Sequence, residues 1–91
     1  MSSTNALLRE QIGHEFTASQ QYAAFAVCFD EQALQQMAGR FYQQSLEERN
    51  HAMMIVQYLM DRGTDVTIPA IPALSDVPTG VTEILKRAVA Q

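Results

Sequence analysis

Two long stretches in which apolar residues recur every three or four positions limit the fold of this chain more than any other feature. The first runs from residue 5 to 29 with Gly13 as its one glycine, and the second from residue 31 to about 62 with Gly39 as its one glycine; neither contains proline. This period predicts amphipathic helices. A helix of about 25 residues is roughly 37 Å long, a length typical of helical bundles.

The predicted inner faces of the two helices follow from the same spacing. They consist of Leu8, Ile12, Glu15, Ser19, Tyr22, Ala26 and Phe29 on the first helix, and of Leu34, Met37, Phe41, Ser45, Glu48, Ala52, Ile55 and Leu59 on the second, with Ala38, His51 and Tyr58 beside them.

The connection between the helices is predicted to be very short. Asp30 has the side chain of a helix N-cap, and Glu31 in the first turn of the second helix complements the helix dipole. Gly63 is a natural residue to follow the last turn of the second helix. So short a connection predicts an antiparallel helical hairpin.

Beyond the hairpin the composition changes. Residues 63–78 include Pro69 and Pro72, which exclude helix, so we expect an extended crossover that buries its apolar side chains against the hairpin. A third helix is expected over residues 80–91. The predicted fold is all-α, a single partial domain over residues 1–91; the side chains expected to be buried in the crossover are Ile68, Ile71 and Leu74.

Composition excludes some functions and favours others. A net charge of −4 and a pI near 4.9 argue against a nucleic-acid surface. No run of 18 apolar residues predicts a membrane span, and the N-terminus lacks the apolar core of a signal peptide. Cys28 is the one cysteine, so no internal disulfide is possible and a cytoplasmic location is expected.

Three side chains on the predicted inner faces indicate a metal site. Glu48 and His51 stand at i and i+3, which places both on one side of the second helix, and Glu15 lies on the inner face of the first. Carboxylate oxygen and imidazole nitrogen together suit first-row transition metals. A buried carboxylate otherwise needs a proton or a cation such as Arg9 or Arg49. If the faces are rotated by one position, the glutamates are ordinary surface carboxylates.

The sequences of two segments, residues 15–22 (EFTASQQY) and 47–52 (EERNHA), extend this interpretation. With them, the chain resembles the N-terminal half of a bacterial non-haem ferritin. The resemblance implies that iron is bound at a di-iron ferroxidase centre by Glu15, Glu48 and His51, with Tyr22 beside them as a further catalytic residue. It gives no support for haem, because Arg49 stands where haem-binding relatives have a methionine. Manganese and zinc accept the same ligands.

The function implied by the resemblance is iron storage and detoxification, in which bound Fe(II) is oxidised to Fe(III) by dioxygen before mineral deposition. Iron ions, dioxygen and further copies of the chain are the expected partners. Ferroxidase activity is expected only if the di-iron centre is completed, because a ferritin subunit has four helices and its next ligand would fall just past Gln91.

Two ways of completing the bundle remain open. Pairing two hairpins about a two-fold axis would bury the apolar faces and supply a full di-iron ligand set. Alternatively, the chain is an inactive fragment of a longer ferritin. A third interpretation is a catalytically silent oligomerisation module, in which the inward glutamates and histidine form a buried polar network that fixes register.

Overall fold

The chain folds as an antiparallel pair of long helices followed by a short third helix. The computed structural model describes residues 2–74 and 80–90, and the side chains of residues 4–74 and 80–87. Helix α1 spans Ser2–Glu31, α2 spans Gln35–Asp61 and α3, which packs against α1, spans Val81–Ala90. No strand occurs within those residues. The predicted all-α helical hairpin is therefore confirmed.

The turn between α1 and α2 lies three residues later than the sequence suggests. Asp30 was predicted to cap the second helix but lies in the last turn of α1, and Leu34 precedes α2 without a side-chain capping hydrogen bond. The reason is a Schellman motif: Leu34 N donates to Phe29 O (2.9 Å), and Ala33 N donates to Asp30 O (3.0 Å). Ala33 takes the left-handed position with φ +60°, a place usually held by glycine.

The observed end of α2 agrees more closely with the prediction from the sequence. Gly63 has φ +71°, and its N donates to Met60 O (3.0 Å) while Thr64 N donates to Leu59 O (3.0 Å). This is a second Schellman motif, with the glycine at the position where positive φ is required. After this motif the chain runs back along α1.

The described part of the crossover contacts the first half of α1. Arg9 Nε donates to Asp65 O (3.1 Å), and a Cβ placed on Gly13 would lie 3.5 Å from Pro69 Cγ. Val66 packs against the core between the helices. The expectation of burial is wrong for Ile68, which is 51% exposed, because Val66 and Pro69 are the side chains that face α1 there. Residues 75–78 of the predicted crossover, and Gln91 of the predicted third helix, lie outside the described residues.

Two apolar clusters hold the hairpin together, with a polar layer between them. One lies at the turn and includes the α3 side chain Ile84 with Phe25, Cys28, Phe29 and Ala38. The other lies at the open end of the hairpin and consists of Ile12, Ala52, Val56 and Leu59.

The polar layer contains Ser19, Ser45, Glu15 and Glu48, all half-buried. The predicted metal ligands thus lie on the level of the hairpin where the apolar core is interrupted. No helix in the described part of the chain is both long and apolar enough to cross a membrane.

Candidate metal site

The structure brings together the three side chains that the sequence singled out. Glu15 comes from α1, and Glu48 and His51 come from adjacent turns of α2. His51 Nδ1 lies 3.6 Å from Glu15 Oε2 and 3.8 Å from Glu48 Oε2, and one ligand atom from each residue falls within 4.8 Å of the other two. These separations are close enough for a single cation to contact all three atoms.

Each glutamate is oriented by a glutamine one turn before it. Gln11 Nε2 donates to Glu15 Oε1 (2.9 Å), and Gln44 Nε2 donates to Glu48 Oε1 (3.0 Å). The Oε1 atoms are thereby occupied, and both Oε2 atoms are left facing His51. Sequence reasoning missed these glutamines, although a Gln-x-x-x-Glu spacing on both helices was a readable signal.

Glu15 Oε2 is buried and accepts no hydrogen bond from any described residue. Leaving a buried carboxylate oxygen without a donor is unfavourable. Arg9, one of the cationic partners considered from the sequence, donates instead to Asp65 O, and Arg49 is exposed. A metal ion or a proton held between the two carboxylates would satisfy this oxygen.

The two carboxyl groups influence each other's protonation. Hydrogen bonding that its protonated form can make to Glu15, together with burial, raises the pKa of Glu48 above its ordinary value. The same hydrogen-bonding interaction lowers the pKa of Glu15, with Gln11 and His51 acting in the same direction against burial. Without a cation, Glu48 is therefore the carboxyl group that keeps a proton to higher pH.

The two glutamates and the histidine differ in exposure. Both glutamate side chains are 17% exposed, so the predicted inner faces are not rotated, whereas the His51 side chain is 56% exposed. His51 was expected beside the inner face, in a dry interior. It lies instead at the rim of the hairpin. The space between the three side chains is thus closed by the carboxylates on one side and open to solvent on the side of His51.

Tyr22 lies between the carboxylates and the aromatic core. Burial raises the pKa of its hydroxyl, and the negative charge of Glu48 adds to that effect. Its ring stacks on Phe41 with centroids 6.0 Å apart and meets Phe25 edge-on at 6.3 Å. The structure therefore places the fourth predicted site residue next to the carboxylates of the candidate site.

Known proteins resemble this chain in both sequence and fold. The sequence profile of the ferritin-like domain family matches residues 5–91. Ferritin BfrB of Mycolicibacterium smegmatis is 53% identical over 87 residues, which are 96% of this chain and 48% of that protein. A bacterial non-heme ferritin of Staphylococcus saprophyticus is 36% identical over 84 residues, which are 92% of this chain and 50% of that protein.

Solved structures also resemble this chain in fold. A crystal structure of a PmFTN variant soaked in iron superposes with a TM-score of 0.90 at 26% identity, and it covers 99% of this chain and 58% of that one. A second iron-soaked PmFTN variant has a TM-score of 0.87. The chain spans about half the length of the relatives that it matches.

Proposed function

The chain belongs to the ferritin-like domain family, and from this membership we propose that it binds ferrous iron through Glu15, Glu48 and His51 as part of an iron-storage protein. The relatives named ferritin and the iron-soaked structures support iron as the metal. A cytoplasmic location and the absence of haem remain predictions from the sequence.

The buried Glu15 Oε2 without a donor is the observation that carries this proposal. A cation or a proton of Glu48 would satisfy an oxygen in that state, and the ferritin relatives support the cation. Two oxygens and one nitrogen suit Fe(II), and the open side next to His51 leaves positions for further ligands.

The described residues provide half of a di-iron site. Ferritin-like di-iron bundles use a glutamate from each of two helices and a Glu-x-x-His pair from each of the other two. This chain has one of each: Glu15 on α1, and Glu48 with His51 on α2. The finer proposal is a ferroxidase centre completed either by a second copy of the hairpin or by a further pair of helices.

In that centre the residues have distinct tasks. The carboxylates of Glu15 and Glu48 neutralise the cation and favour Fe(III) over Fe(II), because the ferric ion is harder and more highly charged. His51 supplies a neutral nitrogen ligand. Tyr22 lines the carboxylate side, where its hydroxyl stays protonated because its pKa is raised. Dioxygen accepts the electrons of the two ferrous ions.

Aerobic addition of Fe(II) to the purified chain tests this proposal. We expect a near-ultraviolet ferric absorbance that is lost in Glu48→Ala and His51→Ala but kept in Glu47→Ala, which removes an exposed carboxylate next to the site. Anaerobic titration with Co(II) separates binding from oxidation. If all three variants match the parent in both measurements, the silent oligomerisation module is the better interpretation.

A further inference from the structure

Two serines form reciprocal hydrogen bonds across the hairpin. Ser19 Oγ donates to Ser45 O (2.8 Å), and Ser45 Oγ donates to Ser19 O (2.7 Å). The two hydroxyl oxygens lie 3.0 Å apart. Both residues are half-buried, and both hydrogen bonds reach the main chain of the opposite helix.

The serine pair lies one helical turn from both carboxylates. On α1, Ser19 is four residues after Glu15, and on α2, Ser45 is three residues before Glu48. Because the helices are antiparallel, these steps run in the same direction along the hairpin, and they cover about 6 Å on α1 and about 4.5 Å on α2. A shift of one helix along the other at the serines would therefore appear almost undiminished at the glutamates.

Apolar packing and directional hydrogen bonds both contribute to this position. The side chains of the two apolar clusters interdigitate and so resist an axial slide, but they leave the carboxylate level between them without apolar contacts. A hydroxyl-to-carbonyl hydrogen bond is directional and weakens steeply when its geometry is disturbed. Serine is also small enough to let the two backbones approach, which the direct contact with main-chain oxygens requires.

We propose that the Ser19–Ser45 pair is a positioning clamp that sets the separation of the Glu15 and Glu48 carboxylates. The affinity of the metal site then depends on the clamp, although neither serine contacts the cation. The effect on metal affinity rests on the proposed function, whereas the effect on the carboxylate separation concerns the metal-free hairpin alone.

Nuclear Overhauser contacts between the Glu15 and Glu48 side chains in the metal-free chain test the clamp directly. We expect them to weaken in Ser19→Ala and Ser45→Ala and to disappear in the double variant, with helical content kept. Thr17→Ala is the matched control: Thr17 Oγ1 donates to Gly13 O (2.8 Å), so this variant removes a similar hydrogen bond close to Glu15, but one within α1. Parent-like contacts in both single variants would overturn the proposal, even if the double variant does not fold.

Co(II) titration of the same variants tests the consequence for binding. We expect affinity to fall by about tenfold in the double variant, the lower end of what is lost when groups that orient metal ligands are removed, and to stay unchanged in Thr17→Ala. A double variant that melts earlier yet binds Co(II) like the parent would make the serines merely structural. A parent that binds no Co(II) would contradict the proposed function, while the metal-free contacts would still decide on the clamp.

Discussion

Glu15 and Glu48 hold two carboxyl groups side by side in a half-buried layer, and this placement is unfavourable in the metal-free chain. Folding raises the pKa of Glu48. Its contribution to the free energy of unfolding is therefore present below the pKa of the unfolded state and is lost as pH rises through the pKa of the folded state. Glu15 has a lowered pKa, so its contribution is present above the unfolded value and is lost as pH falls through the folded one. Above the folded-state pKa of Glu48, its ionised form is the destabilising member of the pair.

Replacing Glu48 by glutamine should therefore stabilise the metal-free protein while it weakens metal binding. The amide carries no charge at any pH and gives Glu15 Oε2 a donor, which we expect to raise the free energy of unfolding at pH 7 by about 1 kcal/mol. Thermal unfolding of the metal-free Glu48→Gln variant, with Glu47→Gln as the exposed control, measures this change. A lower stability than the parent would contradict the assigned cause of the Glu48 pKa shift.

Metal binding should weaken on acidification. A bound cation displaces the proton of Glu48, and its raised pKa means that competition begins at a higher pH than for an ordinary glutamate. We expect Co(II) affinity to fall progressively as pH is lowered towards the pKa of Glu48. Isothermal titration in buffers of different ionisation enthalpy would detect the released proton. Affinity that does not change with pH across this range would exclude Glu48 as a ligand.

At the scale of elements, the ends of the helices depend on backbone conformation more than on side chains. Gly39 lies inside α2 and Gly63 just after it, and neither has any atom within 4 Å of an added Cβ. They differ in φ, because only Gly63 has a positive value, +71°. Alanine substitutions at these two positions therefore measure the free-energy cost of the backbone conformation separately from that of side-chain packing.

Gly39→Ala and Gly63→Ala should change stability in opposite directions. Alanine at position 39 gains helix propensity, which we expect to stabilise the chain by about 0.8–1 kcal/mol. Alanine at position 63 must hold a left-handed conformation, which we expect to cost about 1–2 kcal/mol. Urea unfolding of the two variants provides the comparison. Equal effects of the same sign would show that the second Schellman motif does not govern the end of α2.

At the scale of the whole molecule, one side of the hairpin exposes apolar surface next to the candidate site. Met54, 68% exposed, follows His51 by one turn and lines a groove of about 430 Å³ with Leu8, Ile55, Tyr58 and Thr4. Apolar surface of this kind favours association. In the proposed bundle this groove would lie between the two pairs of helices.

The mass of the chain in native solution should therefore exceed that of a monomer, and its melting temperature should rise with concentration. Met54→Glu should shift the distribution towards the monomer, whereas Gln20→Glu, which adds the same charge at an exposed position of α1, should not. Native mass spectrometry with concentration-dependent melting measures both. A stable monomer at every concentration would contradict assembly through this face.

The sequence by itself determined the two long helices, the antiparallel hairpin, the glycine that ends α2 and the three residues that meet at the candidate site. The helices follow from periodicity and the hairpin from the short connection between them. The three residues follow from their places on the predicted inner faces together with the resemblance to ferritins. Only the tertiary structure decided that Ala33 adopts positive φ and moves the turn past Asp30, that Ile68 stays exposed and that His51 lies at the rim.

Tertiary contacts likewise decided how far one helix is shifted along the other. This shift depends on contacts such as that of Ser19 with Ser45, which are 26 residues apart in the chain. Helical periodicity specifies which residues share a face, but it carries no information about the axial register of two faces. That register is set by directional hydrogen bonds and packing that exist only once the helices have met.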